Sequence, residues 1–135
     1  MNRYSGVGLI CNGKILLCKR SEGTKENPLP FGGFWSIFTG SIEKNEGPIS
    51  CAARETKEES GINLKIQDIK YVKTLYEEDS LLHVYMSEIK SEVIPDLNEE
   101  HTDFVWTDIK LLDSFPHKLD DKIVECVKKY QRNKY

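Results

Sequence analysis

No stretch of this chain stays apolar for the roughly 20 residues that a helix needs to cross a bilayer. Its start, MNRYSGVGLI, lacks the charged lead, long apolar run and cleavage site of a secretory signal. Cysteine is scarce and scattered. Cys11, Cys18, Cys51 and Cys126 form no C-x-x-C pair and sit in apolar or helical contexts, which argues against zinc and for reduced, buried thiols. Together these absences predict a cytoplasmic protein with no membrane partner. An excess of one charge is missing too. With 19 basic and 22 acidic residues the net charge is −3, which gives no basis for bulk affinity to nucleic acid or an anionic membrane. A polyanionic ligand would need local help from a few basic residues or a metal. There are no repeats and no low-complexity tracts. What remains, 135 residues that are 39% hydrophobic and 30% charged, fits one folded domain over residues 1–135.

The chain then reads as alternating elements. Apolar runs Val7 to Cys11 and Ile15 to Cys18 flank Asn12-Gly13, a pair that tolerates the positive φ angles of a tight hairpin turn. Lys19 and Arg20 end the second strand. Residues 21–33 are a loop rich in turn formers, and FWSIF resumes an extended pattern before GSIE. Gly47-Pro48 starts a helix and Gly61 ends it, with Ile49, Ala52, Ala53 and Thr56 on its inner face. INLKIQDIKYVKTLY, SLLHVYMSEI and TDFVWTDI are β-rich. A last helix is predicted from about Lys118 to Tyr130, with Leu119, Ile123, Val124, Val127 and Tyr130 at helical spacing. Strands, helix, strands, helix predict an α/β protein, a mixed sheet covered by helices on two faces.

The stretch GSIEKNEGPISCAARETKEESGI, residues 40–62, concentrates acid. On a helix Glu55, Glu58 and Glu59 have the i, i+3, i+4 spacing of one face, predicted to lie opposite the apolar stripe. Oxygen clusters of this kind suit hard cations such as magnesium, which also bridges to phosphates. Arg54 can hold one carboxylate through two hydrogen bonds, Glu46 sits where a helix N-terminus favours negative charge, and Gly40 permits close backbone approach. The plainer reading is a solvated acidic helix face.

The spacing is Gly40, five residues, Glu46, seven residues, Arg54-Glu55, then Glu58-Glu59 and Gly61-Ile62. It resembles the signature box of the Nudix hydrolases, with every Gly, Glu and Arg of that pattern in register. Thr56 stands where an aliphatic residue is usual, and Phe38-Thr39-Gly40 replaces the Pro-Gly-Gly of many relatives. The resemblance implies an α/β/α sandwich. It implies a hydrolase that attacks a phosphorus of a nucleoside-diphosphate-linked substrate with water, using magnesium or manganese. Carried over by position, Glu55, Glu58 and Glu59 bind metal, a carbonyl near Thr39 or Gly40 completes the shell, and Arg54 and Glu46 orient the cluster. In NEEHTDFVWTDI, Glu100, ahead of Trp106, is the better candidate than Glu99 for a further metal ligand or general base. Glu58 and Glu59 are equally plausible as that base.

Lys19 or Arg20 could stabilise a leaving phosphate, or could simply be strand-end surface residues. Trp35, among Phe31, Phe34 and Phe38, is the aromatic assigned to the pocket rim, where it could stack on a base. Tyr76, His83 and His117 read as structural. In FPHKLDD, residues 115–121, Leu119 falls about where the branch of that family acting on oxidised dGTP keeps a base-recognising asparagine, so that route to purine specificity is not expected. A nucleotide-sensing domain that does not cleave its ligand is the alternative. Some members of that family form homodimers, and no residue here decides the point.

Overall fold

The computed structural model describes residues 1–29 and 31–134. In it Asn12 and Gly13 both take positive φ, 49° and 79°. They make the two-residue turn that joins β1 (Asn2–Cys11) to β2 (Lys14–Arg20). Positive φ at both turn residues matches the right-handed twist of the strands they connect. The two strands pair next to that turn, Ile10 with Ile15 and Cys11 with Lys14, and then diverge. β3 (Trp35–Ser36) takes up β2 at Cys18 and Lys19, while β4 (Phe38–Ser41) takes up β1 from Tyr4 to Val7. The sheet therefore forks, and the segment from Trp35 to Ser41 fills the fork.

The rest of the sheet builds outward from this pair. β5 (Ile69–Glu77) and β6 (Ser80–Glu88) are antiparallel, β6 runs parallel to β1, and β7 (His101–Asp108) is antiparallel to β2. One parallel pair among antiparallel ones makes the sheet mixed. Side chains alternate between its faces. Ile10, Ile15, Leu17, Val84 and Met86 pack on one side with Ile123, Cys126 and Val127. Val7, Leu9, Leu16, Cys18 and Tyr85 pack on the other with Ala52. Each fully buried aliphatic chain contributes roughly 1.5–3 kcal/mol. The helices on these two faces are α1 (Pro48–Ser60) and α2 (Asp121–Lys134), so the fold is the expected α/β/α sandwich.

The limits of α1 follow from its end residues. Pro48 occupies the first turn, and Gly61, at φ 77°, donates its N–H to the Lys57 carbonyl. The Ser5 hydroxyl donates to the Pro48 carbonyl at 2.6 Å and fastens the start of the helix to β1. Thr56 packs inward as expected, fully buried, with its hydroxyl donating to the Ala52 carbonyl at 2.8 Å.

The last helix departs from its predicted limits. It begins at Asp121, not near Lys118, and runs to Lys134. Residues 118–120 are extended instead, because they pair with Trp35. The Trp35 N–H donates to the Lys118 carbonyl at 2.8 Å and Leu119 bridges to Trp35. Asp120 then caps the helix, its carboxylate accepting from the Lys122 N–H at 3.1 Å. All four cysteines are free and buried. Among the described residues no helix is long and apolar enough to cross a membrane.

Candidate active site

The acidic residues of α1 divide into two groups. Arg54 organises the first. Its Nε and Nη2 donate to the two Glu46 oxygens at 2.7 and 2.9 Å, its Nη1 to Glu55 at 3.0 Å and to Glu58 at 3.1 Å, and Nη2 also to the Ser41 carbonyl at 3.1 Å. A planar guanidinium suits such forked pairing. The Arg54 hydrogen bonds hold the Glu46 carboxyl down to about 2. Glu46 is fixed by Arg54 and by the Glu43 N–H, which donates to it at 3.0 Å. Glu43 also lies 3.6 Å from Arg54 Nη1. Glu58 is half exposed. Glu55 points at β4, where a Cβ on Gly40 would overlap its carboxyl group. Gly40 makes room for a glutamate, which refines the expectation of close backbone approach.

Glu59 forms the second group, on a different face from the one expected. Its residue is 1% exposed. It lies three residues after Thr56 and seven after Ala52, so it continues the apolar stripe and does not oppose it. Neither of its oxygens has a hydrogen-bond partner among the described residues. Burial pushes its carboxyl up to about 10, and the neighbouring Glu100 adds to the shift. A buried carboxyl without hydrogen-bond partners costs several kcal/mol by order of magnitude, and the Arg20 charge nearby acts against the shift without supplying a hydrogen bond among the described residues.

The loop before β7 closes on this acid. The Asp96 N–H donates to the Ser60 carbonyl at 2.8 Å and Asn98 Nδ2 to the Glu58 carbonyl at 3.3 Å. These bonds dock residues 96–98 onto the C-terminal end of α1 and bring the following pair, Glu100 and His101, against Glu59. One donor atom from each of Glu59, Glu100 and His101 lies within 4.8 Å of the other two. His101 is 6% exposed, with Nδ1 buried and without a partner. Burial, with Arg20 adding, holds its imidazole down to about 4, so the ring is neutral. Two unpartnered oxygens, a neutral ring nitrogen and a second carboxylate make a donor set that fits a divalent cation.

The three candidates for contact with substrate separate. Lys19 and Trp35 line a cavity of about 610 Å³ together with Glu22, Gly33, His117 and Lys118. The His117 ring stacks on Trp35, centroids 5.6 Å apart and planes 19° off parallel. Arg20 faces the other way, where its charge acts on Glu59 and His101, and it stands opposite His101 in the β2–β7 ladder. Neighbours at the end of β2 thus serve the cavity and the acid cluster. Sequence reasoning passes over His101 as a site residue and reads His117 as structural. His101 carried one faint signal, its place directly after Glu100. His117 carried none, because its stacking depends on the long-range pairing of Trp35 with residues 118–120.

A family model of the NUDIX domain matches residues 1–129, and the chain belongs to that family. Solved structures similar to it include the NUDIX domain of Shewanella oneidensis NrtR complexed with ADP ribose. That likeness has a TM-score of 0.77 at 16% identity and covers 98% of this chain and 88% of that one. A MutT NUDIX hydrolase from Burkholderia pseudomallei superposes with a TM-score of 0.75 at 21% identity, over 95% and 96% of the two chains. For a MutT/nudix family protein from Enterococcus faecalis the TM-score is 0.76 at 20% identity, over 97% of this chain and 61% of that one. At these identities the likeness is one of fold. A curated Myxococcus xanthus octanoyltransferase is 34% identical over 84 residues, which are 58% of this chain and 24% of that protein's length.

Proposed function

We propose that this chain is a divalent-metal-dependent hydrolase that cleaves a phosphoanhydride bond in nucleoside-diphosphate-linked substrates. The observation that carries this reading is Glu59, a buried carboxyl with no partner, lying beside Glu100 at a box position. A structural acid would be satisfied by protein donors. One left open inside a donor cluster is arranged for a cation. Magnesium or manganese would be held by Glu59 and Glu100, with Glu55 and Glu58 as the further carboxylates. When bound, such an ion supplies neutralisation of phosphate charge and activation of the attacking water.

The protein's own groups divide the remaining work. Arg54 and Glu46 fix Glu55 and Glu58 in place, acting on the reaction through those carboxylates. Glu58, half exposed at the end of this array, and Glu100 are the candidates for accepting the proton of the nucleophile. Arg20 lies close enough to the cluster to stabilise charge on the departing phosphate. Trp35, expected at the pocket rim, is instead a buried core residue covered by His117, so the cavity offers the exposed His117 ring, with Lys19 and Lys118 as cations, to a nucleoside with its phosphates. ADP ribose, the ligand of the NrtR domain, is of the proposed class. The nucleotide remains to be chosen by experiment from triphosphates, nucleotide sugars and dinucleotides.

The test is a panel of those three classes incubated with magnesium or manganese and read out as phosphate, pyrophosphate or nucleoside monophosphate. Turnover of at least one compound that chelation abolishes is expected. Tight nucleotide binding with no product after long incubation would replace this reading with a sensor that binds without cleaving.

A further inference from the structure

We infer that His101 is a nitrogen ligand to the divalent ion, so that this site favours first-row transition ions such as manganese(II) or cobalt(II) over magnesium. The inference rests on the metal-dependent reading above and adds to the carboxylates a donor of a different kind.

Three observations carry it. The ligand atoms of Glu59, Glu100 and His101 lie within 4.8 Å of one another. With bonds of about 2.0–2.2 Å, two ligands of one ion sit at most about 4.4 Å apart, so small side-chain adjustments close the set. His101 is 94% buried by difference from its 6% exposure, and its Nδ1 has no partner. A buried imidazole normally finds a hydrogen bond, and this one instead lies in one cluster with Glu59, whose two oxygens are equally open. The ring is also held in place. Phe38 meets it edge to face, with centroids 5.3 Å apart and an interplanar angle of 89°. Phe38 stands where many relatives have the proline of Pro-Gly-Gly, so the departure from the family pattern falls on the residue that seats this histidine.

The chemistry then decides selectivity. Magnesium prefers oxygen ligands and retains its waters, whereas imidazole binds transition ions well, with affinity rising along the first row. Glu55 and Glu58 are held by Arg54, and the grouping of Glu59, Glu100 and His101 adds one nitrogen to the oxygens of the cluster.

The experiment is pulsed electron paramagnetic resonance of manganese(II) added to metal-free protein, with manganese and magnesium affinities measured for wild type and His101→Phe. Phenylalanine keeps an aromatic ring against Phe38 and removes only the donor. A ¹⁴N coupling to bound manganese, moved by ¹⁵N-histidine labelling and absent in His101→Phe, is expected. So is a fall of at least about tenfold in the preference for manganese over magnesium, with magnesium affinity kept within about threefold. Bound manganese without a nitrogen coupling overturns the inference and leaves the hydrolase reading standing. An equal loss of both affinities also overturns it, since it would mark a purely structural role. No divalent ion bound at all overturns both readings. Should His101→Phe fail to fold, the presence or absence of the histidine coupling in wild type decides the matter alone.

Discussion

Arg54 illustrates how much one side chain can organise. Its guanidinium engages Glu46, Glu55, Glu58 and a backbone carbonyl at once, which turns a run of mutually repelling acids into a fixed array. Glu46 is its firmest partner, with two hydrogen bonds and a carboxyl held down to about 2. Because the folded value lies below the unfolded one near 4.5, the pair's contribution is fully present above about pH 4.5. It fades as the pH falls toward 2. Glu46→Gln should therefore lose about 1–2 kcal/mol at pH 7, and its deficit against wild type should shrink over that acid window. Denaturant melts at a series of pH values check this, and a deficit independent of pH would contradict it. Residues of this kind were legible in the sequence because their partners lie within one turn or at the box spacing. Glu59 is singled out by the sequence as a candidate, and the structure places it on the other side of the helix from the one expected. The pattern Ala52, Thr56, Glu59 already placed it on the buried stripe, and the acid's charge obscured that.

At the scale of elements, the site exists because β1 and β2 part after their turn and the Trp35–Ser41 segment fills the gap. β4 then lies beneath α1 and presents Gly40 to Glu55. An alanine there would collide with the far end of a flexible side chain, Glu55's carboxyl, and not with backbone. The consequence should be functional more than structural. Gly40→Ala should lower kcat at least about tenfold by displacing Glu55, a carboxylate proposed for the metal site, while the unfolding free energy changes by less than about 1 kcal/mol. Steady-state kinetics and a denaturant melt measure the two effects, and a folded variant with unchanged kcat would contradict the assignment. The β1–β2 hairpin and both ends of α1 could be read from sequence because Asn12-Gly13, Pro48 and Gly61 act locally. The start of α2 could not. Helical periodicity extends back to Leu119, and only the distant pairing with Trp35 makes residues 118–120 extended.

Across the whole molecule, the sheet separates two candidate sites that meet at the end of β2. One face carries the Trp35 cavity and the other carries Glu59, with Lys19 and Arg20 as the junction between them. A nucleotide in the cavity reaching around that strand end would bring its phosphates to the acids. The layered fold could be derived from the order of elements. The convergence of Glu100 and His101 on Glu59 could not, because it depends on the loop at Asp96 and Asn98 docking on the end of α1. The central claim is that Glu59 is buried and unpartnered in order to hold a catalytic cation. It is tested most directly by Glu59→Gln, assayed with magnesium or manganese on whichever nucleotide the panel identifies and melted in metal-free buffer. Turnover should fall by at least about a thousandfold, of the order expected when a principal electrostatic contribution is removed. The unfolding midpoint should stay within a few degrees of wild type, since a neutral acid is replaced by a neutral amide of the same size. Full turnover in a folded Glu59→Gln protein would contradict the claim.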